Sequence, residues 1–84
     1  MTQTLNTPLA AHRAAPHSRA WGRTELAQRY CPTLSASAAW RKLKDWIALA
    51  PGLNQRLADL GYRPDRRTFT PLQVRAIIEA LGEP

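Results

Sequence analysis

The chain has 84 residues, with 12 Lys and Arg against 6 Asp and Glu, so its formal net charge is +6. This length allows one small domain, and the excess of base favours an acidic partner: a nucleic acid, an anionic membrane surface or an acidic protein. The single cysteine, Cys31, excludes an intrachain disulfide, so we expect a reducing, cytoplasmic location. No apolar run approaches the roughly 18 residues that a membrane span needs.

Residues 1–20 predict a disordered basic tail. The segment contains Arg13 and Arg19 but no acidic residue and no periodic apolar set, and such a composition cannot bury enough apolar surface to fold. It also lacks the apolar stretch of a secretory signal. The two arginines could form an arm in the minor groove of DNA, although plain disorder is the simpler interpretation. The ordered domain is predicted over residues 21–84.

Two helices joined by a turn are predicted at the start of this domain. Thr24 is the N-cap candidate of the first helix, and Pro32 ends it. Ser35 is the N-cap candidate of the second helix, which stops at Pro51-Gly52. Apolar residues of the second helix fall in an arc of about 120°, typical of a face that packs against a core. These residues are Ala36, Ala39, Trp40, Leu43, Trp46, Ile47 and Ala50.

Two shorter helices and a basic loop complete the domain. The spacing of Leu53, Leu57 and Leu60 predicts a third helix, with Gly61 as the residue that ends it in a left-handed conformation. The last helix follows a capping box over residues 70–73, with proline at its first position. Strand signals are nearly absent. At most, Trp21 and Phe69 lie in short extended pieces.

The predicted fold is therefore all-α: a small helical domain of about four helices, with a helix-turn-helix over residues 24–47. We expect Trp21 to be partly exposed and Cys31 to be a small, partly buried residue at a turn. The predicted core consists of Leu26, Ala27, Tyr30, Leu34, Ala39, Trp40, Leu43, Trp46, Ile47, Leu57, Leu60, Phe69, Val74, Ile77, Ile78 and Leu81.

Basic residues supply the candidate nucleic-acid contacts. Ser37, Arg41 and Lys44 recur on one side of the second helix, where a recognition helix would meet phosphates or guanine edges. The same pattern fits a solvated face with an Arg41–Asp45 ion pair. The loop arginines could clamp phosphates as a wing, or solubilise the loop. The full candidate set is Arg23, Ser37, Arg41, Lys44, Arg63, Arg66 and Arg67.

No catalytic, cofactor or metal site is predicted. The acidic residues are scattered singly, no glycine-rich phosphate loop follows a strand, and Cys31 has no second cysteine. His12 and His17 lie in the tail without zinc-site spacing. Trp40 and Trp46 could be stacking platforms for single-stranded nucleic acid, but their position on the apolar face favours core packing. We therefore expect a protein that is not an enzyme.

Five short motifs occur across residues 21–84. An aromatic-Gly-Lys/Arg-Ser/Thr-Glu-Leu-Ala opening is present at 21–27, and an Ala-x-x-x-Leu-x-x-Trp-Ile core at 39–47. A Gly-Tyr-Arg loop, a Phe-Thr-Pro-x-Gln-Val helix start and a Leu-Gly-Glu-Pro ending are present at 61–63, 69–74 and 81–84. These motifs resemble those of bacterial domain-of-unknown-function family 4248, whose members are short basic proteins. The resemblance covers the chain after the tail. It implies no activity, so it carries over no functional residue.

Residues 24–47 are also similar, more loosely, to the opening helix-turn-helix of excisionase-like and MerR-like DNA-binding domains. The turn departs from that pattern, because it reads Cys-Pro-Thr-Leu where those domains usually have a glycine or a short polar turn. The first hypothesis is an accessory or regulatory protein that binds double-stranded DNA. Strong binding would need a dimer or a partner protein. The alternative is a non-enzymatic adaptor that docks an acidic protein. Membrane binding is not expected.

Overall fold

The structure, a computed structural model, describes residues 19–84. Two short strands, β1 (Trp21–Gly22) and β2 (Thr68–Phe69), pair antiparallel, with Trp21 opposite Phe69. The predicted small all-α domain of about four helices is confirmed, and both extended pieces are in place. Of the predicted tail, residues 1–18 lie outside the described residues. The helices are α1 (Arg23–Tyr30), α2 (Ala36–Leu49), α3 (Leu53–Asp59) and α4 (Pro71–Leu81).

Helix α1 begins earlier than the sequence suggested. Its N-cap is Gly22, so the prediction of Thr24 was wrong. The strand pairing explains the difference, because Arg23 N follows β1 directly and donates to Arg67 O at 2.9 Å. Glu25 then becomes the third helical residue, and its carboxylate accepts a hydrogen bond from Gly22 N at 3.1 Å. A tertiary contact thus fixes the start of this helix.

Helix α2 follows the predicted pattern closely. Ser35 is its N-cap and accepts a hydrogen bond from Ala38 N at 3.3 Å. Ala39, Leu43 and Ile47 are buried along one side, at positions i, i+4 and i+8. Both tryptophans of the arc are half-buried and pack against the core, whereas Ala36 at the helix start is exposed. The apolar face is therefore used within the fold.

Gly61 and Gln73 determine the structure at the junction between α3 and α4. Gly61 has φ of 91°, and a Schellman motif closes α3 through Tyr62 N to Leu57 O at 2.9 Å. The predicted capping box of α4 is present, with Thr70 N donating to Gln73 Oε1 at 2.9 Å. Gln73 is buried and also donates from Nε2 to Leu60 O at 2.9 Å. One side chain thus caps α4 and ties it to the end of α3.

The core prediction omitted Leu53 and Ala76, which are 2% and 0% exposed, and it needs correction at two further residues. Leu34 is 37% exposed, because it lies in the turn between α1 and α2 and not on the packed face of a helix. Trp21 is buried, at 6% exposure, because β1 pairs with β2 and Arg19 covers its ring at 3.5 Å from the centroid. Cys31 is a buried free thiol, as expected for a small turn residue. None of the helices among residues 19–84 combines the length and apolarity that crossing a bilayer requires.

Tyr30 provides a pH-dependent contribution to stability. Its hydroxyl donates to Gly82 O at 2.6 Å, and burial together with the charge of Glu83 raises the pKa of Tyr30 to about 12 from 10.0. The unfolded chain therefore loses this proton first as the pH rises, so stability present below pH 10 should be lost between pH 10 and 12. Urea midpoints measured across this range should fall more steeply for wild type than for Tyr30→Phe. Parallel curves would contradict the assignment.

Candidate nucleic-acid interface

The cationic side of α2 is free. Arg41 and Lys44 are exposed, and their side chains form no hydrogen bond or ion pair within residues 19–84. Ser37 is exposed on the same side, one turn before Arg41. The alternative Arg41–Asp45 ion pair does not form in this described part of the chain. Two cations of the candidate set are therefore available to an external anion.

The second cationic element is the segment of residues 62–67, here called the arginine loop. Arg63 forms an exposed ion pair with Asp65 at 3.6 Å. Arg66 and Arg67 are exposed, and their side chains contact no acidic group in the described residues. The loop is held in a turn by Arg66 N, which donates to Arg63 O at 2.9 Å.

Arg23 anchors this loop, a role that sequence reasoning missed. Its Nη1 donates to Pro64 O and to Arg66 O, each at 3.3 Å. Its guanidinium also lies 5.0 Å from the centroid of the Trp40 ring, within the range of a cation–π contact. Arg23 therefore joins the loop backbone to α2. No local sequence pattern predicts these contacts, because Pro64 and Arg66 lie more than 40 residues from Arg23 in the chain.

An open cleft of about 340 Å³ lies between α2, α3 and the arginine loop. Its polar and aromatic lining comes from Arg23, Trp40, Lys44, Asn54 and Tyr62. Lys44 of α2 thus faces the same space as the residue that anchors the loop. The cleft brings two of the seven predicted site residues together, while the remaining five lie outside its lining.

Aromatic rings are stacked beneath this cleft. Phe69 is fully buried, with Tyr62 stacked on it at 4.8 Å between centroids and an interplanar angle of 29°. Trp40 packs against Phe69 from another direction at 6.1 Å. Trp46 instead meets the Tyr30 ring edge-on at 6.2 Å. The expected core-packing role of both tryptophans is confirmed, and Trp40 in addition lines the cleft.

A family model described as "Domain of unknown function (DUF4248)" matches residues 17–84. The chain belongs to this family. The match confirms the resemblance found in the sequence motifs. It covers the whole of the predicted ordered domain, residues 21–84, called the DUF4248 domain below. No curated protein and no solved structure matches the chain. The similarity of residues 24–47 to helix-turn-helix domains therefore stays a prediction.

Among residues 19–84, no cluster of three or more His, Cys, Asp or Glu side chains could hold a metal ion. Arg13, His12 and His17 lie outside the described residues. Arg19, the other arginine assigned to the tail, forms an ion pair with Glu25 at 2.8 Å. The candidate interface of the DUF4248 domain, in this described part of the chain, consists of exposed cations and the cleft between α2, α3 and the arginine loop.

Proposed function

We propose that the protein binds double-stranded DNA as a cytoplasmic accessory or regulatory protein without enzymatic activity. In this proposal the cationic side of α2 enters the major groove, and the arginine loop lies on the phosphate backbone. The observation that carries it is the shared cleft: Lys44 of α2 and Arg23, the anchor of the loop, line the same space. The two cationic elements therefore adjoin, as one extended polyanion requires.

Unpaired surface cations are well suited to this role. Arg41, Lys44, Arg66 and Arg67 have no acidic partner within residues 19–84, so DNA binding would break no ion pair at these positions. Each phosphate that a cation neutralises releases counterions from DNA, which steepens the salt dependence of binding by about one unit. A single module of this size contacts few base pairs, so tight binding would need a dimer or a partner protein.

Titration of the protein onto a duplex at about 50 and 200 mM salt tests the proposal. Replacing Arg41 and Lys44 together by alanine should weaken binding at least about tenfold and lower the salt slope by about two. The matched control is Lys42→Ala with Arg75→Ala, which removes the same charge at exposed positions outside the interface. Equal losses in both double variants would refute the assigned surface. Absence of salt-sensitive binding would refute DNA binding altogether.

An acidic protein is the second candidate partner for this surface. Leu49 at the end of α2 is 79% exposed, and an exposed apolar side chain on the helix that carries the cations suits a protein interface better than a phosphate backbone. A polyglutamate peptide separates the two candidates. If it binds as tightly as DNA, and if Leu49→Ser weakens only the peptide complex, the adaptor role is favoured.

A further inference from the structure

We propose that the cleft between α2, α3 and the arginine loop accepts one unstacked nucleotide of DNA. The base would lie against Trp40 and Tyr62, and the adjacent phosphate would meet Lys44. This inference rests on the proposed function and makes it more specific. It names the preferred DNA as a duplex that carries an unpaired nucleotide, such as a single-stranded overhang.

The size of the cleft limits what can enter it. A volume of about 340 Å³ is at the lower end of the range of roughly 300–1,000 Å³ for small-molecule sites. Such a space holds one planar group and is too small for a peptide helix. The N-terminal segment of the chain is a poor occupant as well, because residues 1–18 contain Arg13 and no acidic residue. Two cations at the cleft would repel it.

The aromatic lining is held in place before any ligand arrives. Phe69 has no exposed surface, and both Tyr62 and Trp40 pack directly on it. Each of these two rings is half-buried, and each lines the cleft. Bases stack on such rings with little dependence on sequence, since every base has a π face. A ring that is already fixed loses little conformational entropy when a base binds to it.

The polar lining has unused hydrogen-bonding capacity. The side chains of Lys44 and Asn54 are exposed and form no hydrogen bond within residues 19–84. An ammonium group binds phosphate as a point charge, and an amide offers a donor and an acceptor to a base edge. The remaining walls are apolar and include Ala48 and Pro64. An acidic peptide side chain would pair with Lys44 but would make no stacking contact with Trp40 or Tyr62.

The experiment compares two labelled duplexes that differ only in a short unpaired run of adenines at one end. The wild-type protein should bind the overhang duplex about tenfold more tightly than the blunt one. Asn54→Phe should remove this preference by filling the cleft. Gln55→Phe places the same ring on a neighbouring exposed residue that does not line the cleft, so it should keep the preference. Free dAMP should compete away the overhang advantage and leave blunt-duplex binding intact.

Two results would overturn the inference about the cleft, and each of them can be distinguished from a failure of the proposed DNA binding. Equal, salt-sensitive affinities of the wild-type protein for both duplexes would refute the cleft assignment and retain DNA binding. The cleft would be assigned to a protein partner if the wild-type protein showed no overhang preference and if Asn54→Phe weakened its binding to a polyglutamate peptide. If neither duplex bound in a salt-sensitive manner, the proposed function itself would be refuted. Tyr62→Leu, checked for folding by thermal unfolding, gives an independent second variant that should also lose the preference.

Discussion

Replacement of Phe69 by alanine is expected to lower the free energy of unfolding by about 3–5 kcal/mol. Phe69 is fully buried, and its ring supports Tyr62 and Trp40. Truncation would remove both aromatic contacts and leave a cavity that the β1–β2 pairing keeps from collapsing. Since small domains are stable by only about 5–15 kcal/mol, this loss would remove a large part of the stability of the domain.

Urea unfolding followed by far-UV circular dichroism measures this loss. The matched control is Leu72→Ala, because Leu72 is an apolar side chain in the adjacent helix α4 but is 59% exposed. Its removal should change the unfolding free energy by no more than about 0.5 kcal/mol. Phe69→Leu, which retains most of the buried volume, should lie between the two. Coinciding transitions for Phe69→Ala and Leu72→Ala would show that Phe69 does not support the core as described.

The second large effect is expected at Gln73, the buried polar residue of the core. Gln73→Ala should cost about 2–4 kcal/mol, because it removes half of the capping box and leaves the Leu60 carbonyl without its donor. Both hydrogen bonds of the side chain measure 2.9 Å. No other single side chain described here links the start of α4 to the end of α3 in this way.

The variant Gln73→Glu tests the role of the hydrogen bond that Gln73 Nε2 donates to Leu60 O. The carboxylate would still accept from Thr70 N, but at neutral pH it could not donate to Leu60 O. In the folded state the carboxylate would be buried and repelled by the Leu60 carbonyl oxygen, so its pKa should be raised. The stability of Gln73→Glu relative to wild type should therefore recover as the pH falls through that pKa. Urea midpoints of both proteins across acidic pH measure this recovery. A pH-independent difference between them would show that the Leu60 contact contributes little.

Local sequence was sufficient for most of the secondary structure. Ser35 and Thr70 are N-caps because their hydroxyls accept hydrogen bonds from the first turn, and that chemistry needs only neighbouring residues. Gly61 ends α3 because glycine adopts positive φ without steric cost. The buried side of α2 follows from periodicity alone. Motifs at both ends of the domain also identified the family correctly.

The candidate site was only half accessible to this reasoning. The exposure of Ser37, Arg41 and Lys44 follows from their placement opposite the apolar arc, so sequence could nominate them. It could not place Lys44 beside Tyr62, because that neighbourhood depends on how the arginine loop folds back. Asn54 carried no signal at all. An exposed amide on a short helix is unremarkable until the cleft around it is known.

The sequence by itself determined four helices, the capping residues Ser35, Gly61 and Thr70, and a cationic side on the second helix, because each of these depends on residues within one or two turns. The tertiary structure decided the start of α1, the burial of Trp21 and the anchoring of the arginine loop by Arg23. The pairing of β1 with β2 fixes the start of α1 and contributes to the burial of Trp21. Two-residue strands have almost no intrinsic signal, since their stability comes from the partner strand and from the packing around it.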